Sequence, residues 1–158
     1  MKETHSRPSD FSSPDKSRKP LPPVSLAALR DIQTTKTFPK GHEFFLEGQQ
    51  PLGVYILYSG CVELSVTDAH GRQLVLRTVL PGDVLGLSAV VSGKFYEETA
   101  VASVPSRAGF VQCQKFCQFL ENNPEAAFWV VQLLSDRVAA TLDQLSCFRQ
   151  QLSIDARH

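Results

Sequence analysis

The side chains able to do acid–base, nucleophilic or metal chemistry in this sequence are few and scattered. Four cysteines, Cys61, Cys113, Cys117 and Cys147, occur without a CxxC or a Cys/His pairing, which suits reduced, packed thiols better than a disulfide framework. Cys113 and Cys117 stand four apart, so a helix brings them to one face. That is the spacing of a thiol switch, but within one helix it does not meet disulfide geometry, and packing is the expected role. His42 follows a turn glycine and His70 sits in the turn Asp68-Ala69-His70-Gly71. A β-barrel metal enzyme of the cupin kind needs two or three histidines and a Glu converging inside the barrel, and only these two histidines are candidates, so no metal site is expected. The sequence holds no Ser/His/Asp trio, no paired-carboxylate acid/base site and no phosphate loop of the nucleotide-hydrolase kind. The chain therefore reads as a non-enzyme. One segment, residues 86–100, GLSAVVSGKFYEETA, brings together a turn glycine, small and hydroxyl side chains, one cation (Lys94) and two carboxylates (Glu97, Glu98).

Composition bounds what can hold that segment. The chain has 158 residues, room for one domain with tails at roughly 150 residues per domain. Hydrophobic residues make up 42% and charged residues 20%, ordinary for a globular chain with a buried core. Lys plus Arg (16) balance Asp plus Glu (16), so the whole molecule has no electrostatic attraction for nucleic acid or an anionic membrane. No apolar run reaches the ~18 residues of a membrane span and no signal-peptide pattern opens the chain, so no membrane partner and a cytoplasmic location are expected. Residues 1–23 hold five prolines, five serines, five basic and three acidic residues. Such a stretch cannot offset its ordering entropy by burial and is expected to be a disordered arm.

Three kinds of element must position that segment. Leu26, Leu29 and Ile32 repeat at helical spacing behind Ser25, which predicts a short helix capped by Ser25. From Thr34 the pattern changes to short β-branched and aromatic runs broken by turn formers, with strands expected at 43–46, 54–58, 62–67, 73–80 and 99–104. That spacing implies an antiparallel sandwich or barrel. Within 62–67, Val62, Leu64 and Val66 alternate with polar residues and predict one buried face. Helical spacing returns after Val111 with Phe116, Phe119 and Leu120, and Pro124 suits the first turn of a further helix. Val131, Leu134, Val138, Thr141, Leu145, Phe148 and Leu152 then follow at intervals of three and four. This heptad-like seam, interrupted only by Thr141, fits a partner helix of similar length, and a second copy of the same helix is the economical partner. Ala127, Leu133 and Leu142 are left to face the sheet.

Phe38-Pro39-Lys40-Gly41, Phe45-Leu46-Glu47-Gly48 and a strand running into Ser59-Gly60 follow one another in the β region, and Gly71 before the next hairpin strand and Pro81-Gly82-Asp83-Val84-Leu85-Gly86 come after them. In these motifs and in the order of its elements the chain resembles, over about residues 24–152, the cyclic-nucleotide-binding sensor domain of the Crp/Fnr transcription regulators, whose Pro-Gly-Asp turn leads into a phosphate-binding cassette. The resemblance implies a mainly β fold with flanking helices, an antiparallel jelly-roll-like β-roll over 24–123, and a long dimerisation helix and tail over 124–158. It also implies the candidate cassette Gly86, Leu87, Ser88, Glu98, Thr99 and Ala100, with Leu145 and Ser146 as the helix side of the pocket, presented across the dimer.

In nucleotide-binding members a Glu follows the cassette glycine and grips the ribose, and an Arg further on pairs with the phosphate, a task for its planar fork of donors. Leu87 stands at the first of those places, and Glu97 or Glu98 at the second. A carboxylate facing a phosphate repels it by several kcal/mol, on the order expected at intermediate dielectric. The resemblance therefore implies a homodimeric regulatory module, joined through residues 124–152, that does not hold cyclic AMP in the usual mode. Its effector would be a cyclic nucleotide or another small molecule, and the alternative is a ligand-free dimerisation module. The iron–sulfur branch of the family needs cysteines near the N-terminus, which do not occur before Cys61, and a haem would have only Cys61, His42 and His70 to choose from. Full regulators continue into a helix-turn-helix domain. Residues 124–158 carry three basic and four acidic residues, so this chain alone is not expected to bind an operator.

Overall fold

The computed structural model describes residues 22–156. Helix α1 (Pro23–Ile32) opens on two prolines, whose fixed φ suits a first turn; Pro22 caps it and accepts the first helical N–H, from Leu26, at 3.0 Å. The helix thus starts ahead of Ser25, which is buried inside it and makes no side-chain cap bond, contrary to the capping role expected. Of the arm expected over 1–23, residues 1–21 lie outside the described residues.

Eight strands follow: β1 (Thr34–Phe38), β2 (Glu43–Phe45), β3 (Gly53–Ser59), β4 (Val62–Thr67), β5 (Gln73–Val79), β6 (Val84–Leu85), β7 (Thr99–Ala102) and β8 (Ser106–Gln112). They form two antiparallel sheets, ordered β1-β8-β3-β6 and β2-β7-β4-β5. The chain passes repeatedly from one sheet to the other, which is the jelly-roll winding. Strand β8 pairs with both β1 and β3. No strand was expected there, because Gly109 interrupts its apolar pattern; a Cβ at Gly109 would collide with the Gln33 side chain. Strand β4 departs from strict alternation. A bulge between Leu64 and Ser65 buries both, and leaves Val66 only half-buried.

Strand β3 divides the core by its period of two. Val54 and Ile56 face the helices, with Leu29, Val111, Phe116 and Leu133, whereas Leu57 faces the space between the sheets, with Phe45, Leu64, Val79 and Ala108. Each fully buried Leu or Val contributes about 1.5–3 kcal/mol. Three more helices complete the fold: α2 (Leu87–Ser92), α3 (Cys113–Asn122) and α4 (Pro124–Asp155). Helix α4 begins on Pro124, as expected. Ala126, Val130 and Leu133 fix its first turns to the core, and the Arg137 guanidinium then donates to the Val84 carbonyl oxygen. Residues 138–155 are all exposed. Leu142 therefore does not face the sheet as expected: it lies where α4 has left the body, 57% exposed. No helix among the described residues is long and apolar enough to cross a membrane.

Candidate ligand-binding cassette

The cassette hangs between β6 and β7. Gly86 takes φ +79, the left-handed region that favours glycine, to turn the chain into α2. The turn is tight: a Cβ there would lie 2.9 Å from a Tyr96 ring carbon and 3.3 Å from the Gly53 carbonyl oxygen. Leu87 is fully buried among the helix-side core residues. Its side chain is thus removed from any ligand, and only its backbone is left for the candidate role. Ser88 is half-buried, Lys94 and Glu97 are exposed, and Glu98 is half-buried just ahead of β7.

Internal contacts hold the segment closed. The Tyr96 ring is buried and stacks on Phe45 at 4.0 Å with planes 10° apart. Its hydroxyl donates to the Gly53 carbonyl oxygen at 2.7 Å and accepts from the Leu52 N–H at 3.2 Å. Burial pushes the Tyr96 phenol above the usual tyrosine range, against the opposing effect of its bonds to Gly53 and Leu52. The loop after β2 is tied to the same residue, with the Gly48 N–H on the Tyr96 carbonyl (2.8 Å) and the Tyr96 N–H on the Gln49 carbonyl (2.9 Å). Thr99 is buried and its hydroxyl accepts the Glu47 N–H at 3.0 Å, while the Glu47 carboxylate accepts the Thr67 N–H at 3.0 Å. Ala100, fully buried, pairs with Phe45 and Leu64 in the sheet. The fold thus gathers Gly86, Leu87, Ser88, Glu98, Thr99 and Ala100 around one turn, with the Thr99 oxygen already engaged.

Leu145 and Ser146 are not brought to this turn within the chain. Both are exposed, and at 1.5 Å per residue they lie about 12–14 Å further along α4 than Arg137, the residue that meets the cassette strand. Thr141, one turn beyond Arg137, donates its hydroxyl to the Arg137 carbonyl at 2.9 Å. Along the expected seam, Val131, Val138, Leu145, Phe148 and Leu152 are 56–66% exposed, and Leu134 is half-buried against the core.

Beside Tyr96 lies a feature that sequence reasoning did not single out. A cavity of about 290 Å³ is lined by Phe44, Phe45, Tyr55 and Tyr96, with Gln49 and Gln50 and the neighbouring Leu52. The density of rings between Phe38 and Tyr58 was its only signal. Burial, and to a lesser degree Tyr96, raises the Tyr55 phenol. Two further groups make internal contacts. His42 stacks on Phe38 at 4.5 Å. The Cys113 thiol donates to the Pro51 carbonyl at 3.1 Å and is pushed up by burial and then by Cys117. Among the described residues no three His, Cys, Asp or Glu side chains gather as a metal site.

The model of the cyclic nucleotide-binding domain family matches residues 35–123. A CRP-like cAMP-activated global transcriptional regulator of Mycobacterium tuberculosis is 25% identical over 124 residues, covering 78% of this chain and 55% of that protein. Patatin-like phospholipase domain-containing protein 7 of Rattus norvegicus is 28% identical over 106 residues, 63% of this chain and 8% of that protein. The catabolite activator protein of Thermus thermophilus superposes with a TM-score of 0.73 at 20% identity, covering 82% of this chain and 61% of that one. The chain thus spans about half the length of the regulator and a small fraction of the phospholipase-domain protein.

Proposed function

The chain belongs to the cyclic nucleotide-binding domain family, and from that premise we propose that it is the ligand-sensing module of a Crp/Fnr-type transcription regulator, working as a homodimer through residues 124–152. The observation that carries this reading is the bond from Arg137 of α4 to the Val84 carbonyl, two residues before the cassette glycine. An effector that displaces the cassette pulls directly on the helix whose exposed stripe suits the partner copy, a two-state helix repositioning. The stripe begins with Val131 and continues at Val138, Leu145, Phe148 and Leu152, all more than half exposed in the single chain.

The cassette is unsuited to a cyclic phosphate held in the usual way. Glu98 stands where a cation is needed, the Leu87 side chain is in the core, and the Thr99 hydroxyl is occupied by the Glu47 N–H. A second reading, a dimerisation module without effector, is favoured by the Phe45–Tyr96 stack that fills the space beneath Gly86. Isothermal titration of the chain with cyclic AMP and cyclic GMP at low salt, beside sedimentation velocity, tests the proposal. A dimer that binds neither nucleotide up to millimolar concentration supports it. Micromolar binding refutes the account of the cassette, and a monomer at tens of micromolar refutes the dimer.

A further inference from the structure

We propose that the cavity beside Tyr96 is the effector site of this module, and that it takes a neutral, planar two-ring molecule instead of a nucleotide. The assignment of an effector role rests on the sensing function proposed above; the binding site itself rests on geometry. The walls are built of rings at several angles: Phe45 and Tyr96 stack on each other, which takes up one face of each, and Tyr55 meets Phe44 edge-on at 5.1 Å. Such faces and edges favour a flat aromatic guest. At about 290 Å³ the space is roughly twice the ~150 Å³ cavity that holds benzene, which sets the guest at two fused rings. No charged side chain lines it, so an anion entering it would lose hydration without gaining a partner.

Two polar groups stand ready to orient such a guest. The Tyr55 hydroxyl and the Gln50 carboxamide make no hydrogen bond among the described residues. Gln49, Gln50 and Leu52 are exposed, which leaves an entrance on that side. The site also has a mechanical route to α4. Tyr96 forms its wall, a Cβ at Gly86 would touch that ring, and the strand two residues earlier is held by Arg137. A guest that presses on the braced Tyr96 ring therefore bears on the cassette turn and, through it, on the long helix.

The test uses the 158-residue chain with indole as the probe, indole-3-carboxylate as its anionic counterpart, and the Gln side-chain amide resonances of an 15N-labelled sample as the readout. Saturable binding below about 1 mM that shifts the Gln49 and Gln50 amides, with the carboxylate at least tenfold weaker, supports the proposal. Tyr55→Phe should weaken indole about fivefold, the loss of one hydrogen bond. Leu52→Trp should abolish binding by filling the entrance; Leu52 is 76% exposed, so the core is untouched. Absence of saturation at the solubility limit overturns the site, as does binding indifferent to both substitutions. Sedimentation of the same samples separates the two readings. A dimer that ignores indole overturns the site and leaves the module standing. A monomer that binds indole at these residues retains the site and removes the dimeric module.

Discussion

Replacing Gly86 by alanine should destabilise the domain more than replacing Gly93, although the two glycines flank the same helix in nearly the same left-handed conformation, at φ +79 and +73. Placing alanine in that conformation costs about 1–2 kcal/mol at either position, and the stabilisation that alanine gives by stiffening the unfolded chain is common to both. The environments differ. A Cβ at Gly93 meets nothing within 4 Å, whereas one at Gly86 lies 2.9 Å from the Tyr96 ring. That ring cannot simply swing away, because its face is stacked on Phe45 and its hydroxyl is fixed to Gly53 and Leu52. Forcing a methyl into such a place costs a further ~1–3 kcal/mol. Urea unfolding followed by circular dichroism and by the fluorescence of Trp129, at one fixed protein concentration, should show this difference as a lower midpoint at unchanged slope. Combining Gly86→Ala with Tyr96→Phe, which frees the ring from its polar anchor, should recover part of the difference as a coupling energy. Equal losses at Gly86 and Gly93, or strict additivity in the double variant, would refute the view that Tyr96 braces the cassette turn.

Leu87→Glu places a carboxylate at the position to which the family resemblance assigns a ribose-gripping Glu, yet it should cost about 3–5 kcal/mol of stability because the position is fully buried and offers no cation; the urea midpoint reads this directly. Leu145→Glu should shift the proposed dimer toward monomer by roughly 10²–10⁴ in dissociation constant, since the two-fold axis counts each lost burial twice; sedimentation equilibrium measures it, while the urea midpoint of the separated monomer should barely move. Stability should also fall at high pH. The Tyr55 and Tyr96 phenols are raised above 10.0 in the fold, so the folded state holds protons that the unfolded chain releases first. Their contribution is complete below about pH 10 and is lost as the pH rises through the folded values. Tyr96→Phe should flatten that alkaline slope in thermal denaturation scans, and an unchanged slope would count against its burial as the cause.

Much of the roll was legible because its turns carry fixed chemistry. The glycines of Pro39-Lys40-Gly41, Glu47-Gly48, Ser59-Gly60, Asp68-Ala69-His70-Gly71 and Pro81-Gly82-Asp83 all have positive φ, and the β4 bounds, 62–67, agree with its alternation. Elements without that signature were missed. Strand β1, Thr-Thr-Lys-Thr-Phe, is almost wholly exposed and has no apolar phase, and β6 has only two residues. Gly53 looks like a turn residue but opens β3, where a side chain would collide with Phe110. The cassette could be located from Pro81 to Gly86, but its occupancy could not. That Thr99 is engaged by Glu47 and that Tyr96 lies on Phe45 depends on loops 52 and 51 residues apart in the chain. Leu145 and Ser146, expected to face the pocket across the dimer, do not meet it within the chain, because periodicity fixes a helix face and not the point along its axis where the helix passes the sheet.

That point is Arg137, and its position has a consequence in plain mechanics. The helix continues for 18 residues past it, from Val138 to Asp155, a rod of about 27 Å at 1.5 Å rise per residue. Arg137 is its fulcrum and the packed turns around Ala126, Val130 and Leu133 are its short arm. A tilt of about 10° at the fulcrum carries the far end through some 5 Å, on the order of one helical turn. Any tilt at that fulcrum is thus magnified at the distal tip, and the gain is set by nothing more than where along the rod one guanidinium meets one carbonyl.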